Sequence, residues 1–239
     1  MDARLSPSNS ALRSWMRGAA TALPIILGYL PIGFAFGVLS QKSGLSNANT
    51  LFLSVIVYAG SSQLIAVSLF ADGVPAFSII ITTFIVNLRH LLMSASIAPY
   101  LARWRKSALA AFAYQLTDET FALHSVRFVS GVPAQAEVFG LNTAVQIGWV
   151  FGTWLGLTAG QYVPDVKPFA LDYALPAMFL ALLVLILRNR IQVAVAIVAG
   201  LLSVGLLLSG VNQWNVLLAA LVAATLGVGL EQWIKKPSS

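Results

Sequence analysis

Residues 191–230 read IQVAVAIVAGLLSVGLLLSGVNQWNVLLAALVAATLGVGL, a run of forty residues without Lys, Arg, Asp or Glu. A helix crossing the hydrocarbon core of a bilayer needs about 20 apolar residues. The run therefore holds two crossings, folded back near Ser209-Gly210-Val211-Asn212. Composition agrees: 58% of the 239 residues are hydrophobic and 9% charged, against roughly 25% charged in an ordinary soluble domain. A soluble surface cannot be built from that mixture.

Working outward, Gly18–Gln41, Ser43–Ala71 and Val138–Pro164 are also free of these charges, and Val74–Tyr100 and Phe169–Leu187 carry charge only inside or at an edge. The pattern predicts an all-α polytopic membrane protein with about seven segments, within a range of six to eight. Residues 1–17 are expected as a cytoplasmic tail, 18–234 as one membrane domain and 235–239 as a second cytoplasmic tail. Arg4, Arg13 and Arg17 precede an apolar run too long for a signal-peptide core, with no small-residue cleavage pattern behind it. The first segment is thus expected to stay as an anchor. There is no cysteine, which excludes disulfides and thiolate chemistry. The net charge of +6 sits at the ends of apolar segments, where it suits anionic lipid and not nucleic acid.

Orientation produces a conflict. Basic flanks favour the cytoplasm, and the N-terminal arginines, Arg127, Arg188 with Arg190, and Lys235 with Lys236 can share that side with two crossings in each interval after Arg127. Three apparent segments, however, separate Arg17 from Arg103, Arg105 and Lys106. Either one of the three fails to cross, or Ser107–Val126 is itself a crossing.

The same region holds helix-breaking residues: Pro24, Gly28, Pro31, Gly33 and Gly37 in the first segment, and Gly60-Ser61-Ser62-Gln63 in the second. The third segment contains TFIVNLRHLLMS, Thr83–Ser94. Interrupted backbone at membrane depth survives only beside protein or a water-filled cavity, where transporters build substrate sites. Three interruptions suggest one shared polar centre, with close helix packing as the alternative use of Gly and Ser. Arg89 is the strongest single signal, because a charge at a helix centre costs about 2.5 to 3.5 kcal/mol on insertion scales. Its guanidinium fork matches a carboxylate. His90 lies about 100° from it on an ideal helix and is a candidate proton relay or a simple interhelical hydrogen-bonding group.

A second polar centre is AYQLTDETFALHS, residues 113–125, with Asp118 and Glu119. These are either an acidic first turn of an interfacial helix or a carboxylate pair facing Arg89, a substrate ammonium or a coupling proton. There is no GxxxxGK[ST], HExxH, GxSxG or TVGYG, which removes the direct P-loop, zincin, hydrolase-elbow and potassium-filter classes. No enzyme activity, metal or cofactor is expected. Tyr58, Gly60, Ser61, Ser62, Gln63, Asn87 and Arg89 are candidate substrate-binding residues, and His90, Asp118 and Glu119 candidate coupling or ion-pairing residues.

LPIGFAFGVLSQKSGLS, VYAGSSQLIAVSLFA, NLRHLLMSASIAPYL, AYQLTDETFAL and WVFGTWLG, in this order, resemble the AzlC family of bacterial branched-chain amino acid exporters. The likeness covers Leu23 to about Gly156, with LPAMFLALL at Leu175–Leu183 beyond it. It implies the large subunit of a two-component exporter in the cytoplasmic membrane, paired with a small hydrophobic AzlD-type protein. Its implied substrates are leucine, isoleucine and valine, sometimes methionine, and its implied drive is proton motive force. Some members carry an acidic residue where Asn87 stands, which moves the coupling role here toward Asp118 and Glu119. An ABC-type permease subunit, an accessory membrane scaffold and a channel are the alternatives.

A zwitterionic aliphatic amino acid needs an anion site, a cation or dipole site and an apolar pocket. The expectation is that backbone N–H groups and hydroxyls at Gly60-Ser61-Ser62 hold the carboxylate. Arg89 then assists directly or neutralises Asp118 or Glu119, with Ile32, Phe34, Phe36 or Val57 against the side chain.

Overall fold

The computed structural model describes residues 7–162, 189–211 and 215–235 continuously, with isolated positions between 173 and 187. Residues 1–6, most of the Phe169–Leu187 stretch, Arg188 and Lys236 lie outside the described residues. The described chain is helical, and two compact units, 1–180 and 181–239, divide it. This is an all-α membrane protein. Three of its helices, Leu23–Lys42, Ala76–Leu101 and Arg190–Leu208, are long and apolar enough to cross a bilayer.

In the first unit, α1 (Pro7–Thr21) leads into α2 (Leu23–Lys42), so residues 7–17 of the expected tail are helical. Both pack along α8 (Gln135–Gly160), a helix of 26 residues and so about 39 Å long. Ile26 lies against Gly148, Gly33 against Trp149 and Thr153, and Gln41 against Gly160. Numbers rise together, so α2 and α8 run parallel. A Cβ at Gly37 would run into the Thr153 carbonyl, and one at Gly156 into the Phe34 carbonyl. The α2 glycines therefore serve close backbone approach. The break expected in the first segment is absent, because Pro31 is accommodated within an unbroken α2.

With α8 as a ruler, the directions of the other elements follow. At its start, Glu137 meets Arg17 and Arg127, and Trp104 lies 5.7 Å from Phe139. Ile97 and Leu101, at the end of α5 (Ala76–Ile97) and just beyond it, pack with Phe128 and Val138. We call this the lower end. At the upper end the Gln41 side chain donates to the Leu157 carbonyl at 3.1 Å. Helix α5 is unbroken through Thr83–Ser94, and it descends, since Arg89 lies twelve residues, or about 18 Å, above Leu101.

Between α2 and α5 the chain does not cross. Helix α3 (Asn47–Val57) starts beside Gln41, widens into a π turn over Leu53–Val57, and ends near mid-height, where Ser54 Oγ is 2.9 Å from Thr153 Oγ1. The backbone reverses at Tyr58, the one described non-glycine residue with positive φ, at 43°, and at Ala59. Helix α4 (Gly60–Ala71) then climbs back to the four-residue link, Asp72–Pro75, that opens α5. Its first turn sits at mid-height, since Ser61 accepts from Arg89. Both feet of the α3–α4 hairpin are thus at the upper end.

A second hairpin mirrors it from below. Helix α6 (Lys106–Tyr114) rises from Trp104, the chain breaks over Gln115–Thr117, and α7 (Asp118–Arg127) returns to Glu137. Neither helix, at nine and ten residues and about 15 Å, spans a bilayer. Tyr114 stands 56 residues after Tyr58, and Thr117 likewise after Ser61. Shifted by the same interval, α2, α3 and α4 fall on α5, α6 and α7 to within three residues, with every direction inverted. This resolves the orientation conflict. One of the three segments fails to cross, and Ser107–Val126 is a hairpin and not a crossing.

The second unit is described by itself. Helices α9 (Arg190–Leu208) and α10 (Asn215–Lys235) pair, with the chain turning at Gly210, φ 87°. Asn215 Nδ2 reaches Ser203 Oγ at 3.4 Å, and Gly227 makes room for Val195. The fold-back expected near Ser209 is where this turn lies.

Candidate functional site

The two hairpin tips meet at mid-height around one cavity. Tyr58, Ala59, Gly60 and Ser61 come from the upper tip and Thr117, Asp118 and Glu119 from the lower one. Arg89 and His90 come from α5, Tyr29 from α2 and Trp149 from α8. The cavity holds about 20 Å³, enough for roughly one water molecule. It has no room for an amino acid in this conformation.

The upper tip is built by polar side chains that replace the lost helix bonds. Gln63 Oε1 accepts from the Ala59 amide at 3.2 Å, and its Nε2 donates to Ser54 Oγ at 3.3 Å. Ser62 Oγ donates to the Ala59 carbonyl at 2.9 Å. Ser62 and Gln63, expected to bind substrate, thus staple the tip, and neither lines the cavity. Gly60 is required by close approach: a Cβ there would lie 2.8 Å from the Trp149 ring. Trp149 in turn stacks on Phe36 at 6.0 Å and presents its edge to Tyr29 at 5.4 Å.

The lower tip is capped differently. Thr117 is the N-cap of α7, and its hydroxyl and that of Thr120 exchange bonds with each other's amides at 3.4 and 2.8 Å. Such a reciprocal capping box satisfies two of the free N–H groups of a helix start. The start of α4, capped by Ala59, has no side-chain cap. Gln115 ties the lower tip to Thr143 and Gln146 at 3.3 and 3.0 Å, and Tyr114 donates to the Val55 carbonyl of the upper hairpin.

The charges divide unevenly. Arg89 Nη1 is 2.8 Å from Asp118 Oδ2, and its Nη2 donates to Ser61 Oγ. Glu119 has no cationic partner among the described residues; the Tyr29 hydroxyl donates to it and also lies 2.9 Å from Thr117 Oγ1. One cation therefore faces two carboxylates. His90 keeps its Nδ1 3.2 Å from the Asn87 carbonyl and lines the cavity, although α5 is unbroken there. Asn87 does not line it, and its side-chain oxygen is buried without a partner.

Of the expected residues, Tyr58, Gly60, Ser61, Arg89, His90, Asp118 and Glu119 converge, and Ser62, Gln63 and Asn87 do not. None of Ile32, Phe34, Phe36 and Val57 lines the cavity; Phe36 lies behind Trp149 and Val57 is 40% exposed. Tyr29 and Trp149 were missed by sequence reasoning, and Thr117 stood in the second polar centre without a role of its own. Aromatic rings with a polar tip inside apolar segments were the available signal for the first two.

A family model described as AzlC protein matches residues 24–163, more than half of the chain. The chain belongs to the AzlC family. This is a family of membrane transport proteins, not of enzymes. Family similarity extends past the matched region: the chain is 31% identical over 221 residues to an inner membrane protein, YgaZ, of Escherichia coli, covering 90% of this chain and 88% of that one. It is 32% identical to an uncharacterised membrane protein of Archaeoglobus fulgidus, covering 92% and 96%. A member named branched-chain amino acid transport protein AzlC, from Bacillus subtilis, is 26% identical over 68% of this chain and 63% of its own length. No solved structure matches.

Proposed function

We propose that this protein is a secondary transporter that exports branched-chain amino acids by alternating access, with the cavity between the hairpin tips as the substrate site. The observation that carries this is the pair of oppositely directed hairpins ending on one buried charged cavity. Inverted repeats with broken helices at mid-depth are the architecture by which carriers expose a fixed site to each side in turn. A cavity with room for one water cannot admit leucine, isoleucine or valine, so a tip has to move. The upper hairpin opens one route and the lower hairpin the other. Arg89–Asp118 holds the lower tip against α5.

Glu119 is the coupling carboxylate in this scheme. Asp118 is neutralised by Arg89, whereas Glu119 accepts from the Tyr29 hydroxyl and meets no cation among the described residues, and a buried carboxylate without a cation is costly to keep charged. It takes a proton or the substrate ammonium in turn. Arg13, Arg17, Arg103, Arg105, Lys106 and Arg127 cluster at the lower end, and Lys42 stands at the upper, which supports a cytoplasmic lower end and N-terminus. Within the second unit two crossings separate Arg190 from Lys235, and by the same rule these basic ends support a cytoplasmic C-terminus. Resemblance supports residence in the bacterial cytoplasmic membrane, methionine as a further substrate, and the small AzlD-type subunit.

The test is reconstitution of the chain with its small partner in liposomes. An imposed proton gradient is expected to drive valine against its own gradient. A channel only dissipates the valine gradient, and an accessory scaffold moves none; either result sinks the proposal.

A further inference from the structure

Three of the residues lining the cavity, Tyr58, Arg89 and Trp149, hold a buried donor without an acceptor. Tyr58 and Trp149 are each 2% exposed, and the Tyr58 hydroxyl and Trp149 Nε1 have no hydrogen-bond partner. Arg89 Nε is also buried and unpartnered. Beside them α4 begins at Gly60 without a side-chain cap, so its first amides are free and its positive dipole end faces the same space. Buried polar groups are normally satisfied, and leaving one unmade costs about 1 to 3 kcal/mol. The lower tip, by contrast, uses Thr117 and Thr120 to close its own helix start and contributes the carboxylates.

From this we infer that the α-carboxylate of the transported amino acid docks on the uncapped start of α4, with the Tyr58 hydroxyl and the Trp149 indole N–H as its side-chain donors. The inference rests on the transport proposal above and assigns the polarity of the substrate in it: carboxylate toward the upper tip, ammonium toward Glu119 on the lower. Arg89, committed to Asp118 and Ser61, supplies positive potential rather than a bidentate clamp. The lack of a Cβ at Gly60 lets the Trp149 ring close over the helix start.

Two substitutions remove the donors and keep an aromatic ring at each position, Tyr58→Phe and Trp149→Phe. The measurement is displacement of labelled leucine from the solubilised protein by leucine and by leucinamide, which lacks the carboxylate charge. Wild type is expected to prefer leucine, and each variant to shrink that preference roughly tenfold, because the lost donor weakens the charged carboxylate more than the neutral amide oxygen of leucinamide. Wild-type binding of leucinamide as tight as leucine, or an unaltered ratio in both variants, overturns the carboxylate site and leaves the transport proposal standing. Wild-type protein that binds neither leucine nor valine overturns that proposal, and this one with it.

Discussion

Arg89 Nη1 lies 2.8 Å from Asp118 Oδ2, joining two residues that stand 29 apart in sequence, on the long helix and the hairpin tip of one repeat. The guanidinium that looks like an error in an apolar helix is half of an ion pair whose side chains are 29% and 17% exposed. Removing one partner of a fully buried pair costs about 3 to 5 kcal/mol because the other charge stays behind, and less where, as here, the pair is partly exposed. Arg89→Ala is thus expected to lower the unfolding temperature in detergent and abolish valine transport. The double variant Arg89→Ala/Asp118→Asn is expected to recover much of the stability and none of the transport. Wild-type export of valine by an assembled Arg89→Ala protein removes Arg89 from the mechanism.

Glu119 and Asp118 are separated by their partners, a hydroxyl for one and a guanidinium for the other. Glu119→Gln is expected to lose proton-driven accumulation of valine while keeping valine–valine exchange in preloaded liposomes. Asp118→Asn, which leaves Arg89 unpaired, is expected to impair both. Unchanged valine-driven proton flux in both variants takes the carboxylates out of coupling.

The hairpin topology is testable because the chain has no cysteine. Single cysteines at Ser46 and Asp72, the two feet of the upper hairpin, are expected to react with an impermeant maleimide from one side of the membrane. Cysteines at Arg17, Arg105 and Arg127 are expected to react only from the other. Opposite-sided labelling of Ser46 and Asp72 contradicts the assigned path of α3 and α4.

Helix α2 and helix α8 approach closely at Gly37 and Gly156. Gly37→Val pushes a branched side chain against the Thr153 carbonyl, and overpacking of this kind costs about 1 to 3 kcal/mol or more. Lower thermal stability is expected, whereas valine at Gly28, where a Cβ meets nothing within 4 Å, is expected to be nearly neutral. Equal losses at both positions disprove the packing account.

The amino-acid sequence determined the membrane class, the long apolar segments, the anomaly at Arg89 and the break at Gly60-Ser61-Ser62. These follow from the length of charge-free runs and from local turn chemistry, which a chain carries wherever it folds. It also posed the orientation conflict without resolving it. Whether an apolar stretch crosses or doubles back depends on contacts such as Tyr114 to the Val55 carbonyl, 59 residues apart, and apolar length is blind to them. Proline and glycine in α2 looked like breaks because either residue weakens an isolated helix, yet α8 packs against the bare backbone and keeps α2 whole. Only the tertiary structure could choose Asp118 for Arg89, leave Glu119 to Tyr29, and bring Trp149 over Gly60. Each of these pairings is made where two separate hairpins end, and their partners are set by which faces meet there.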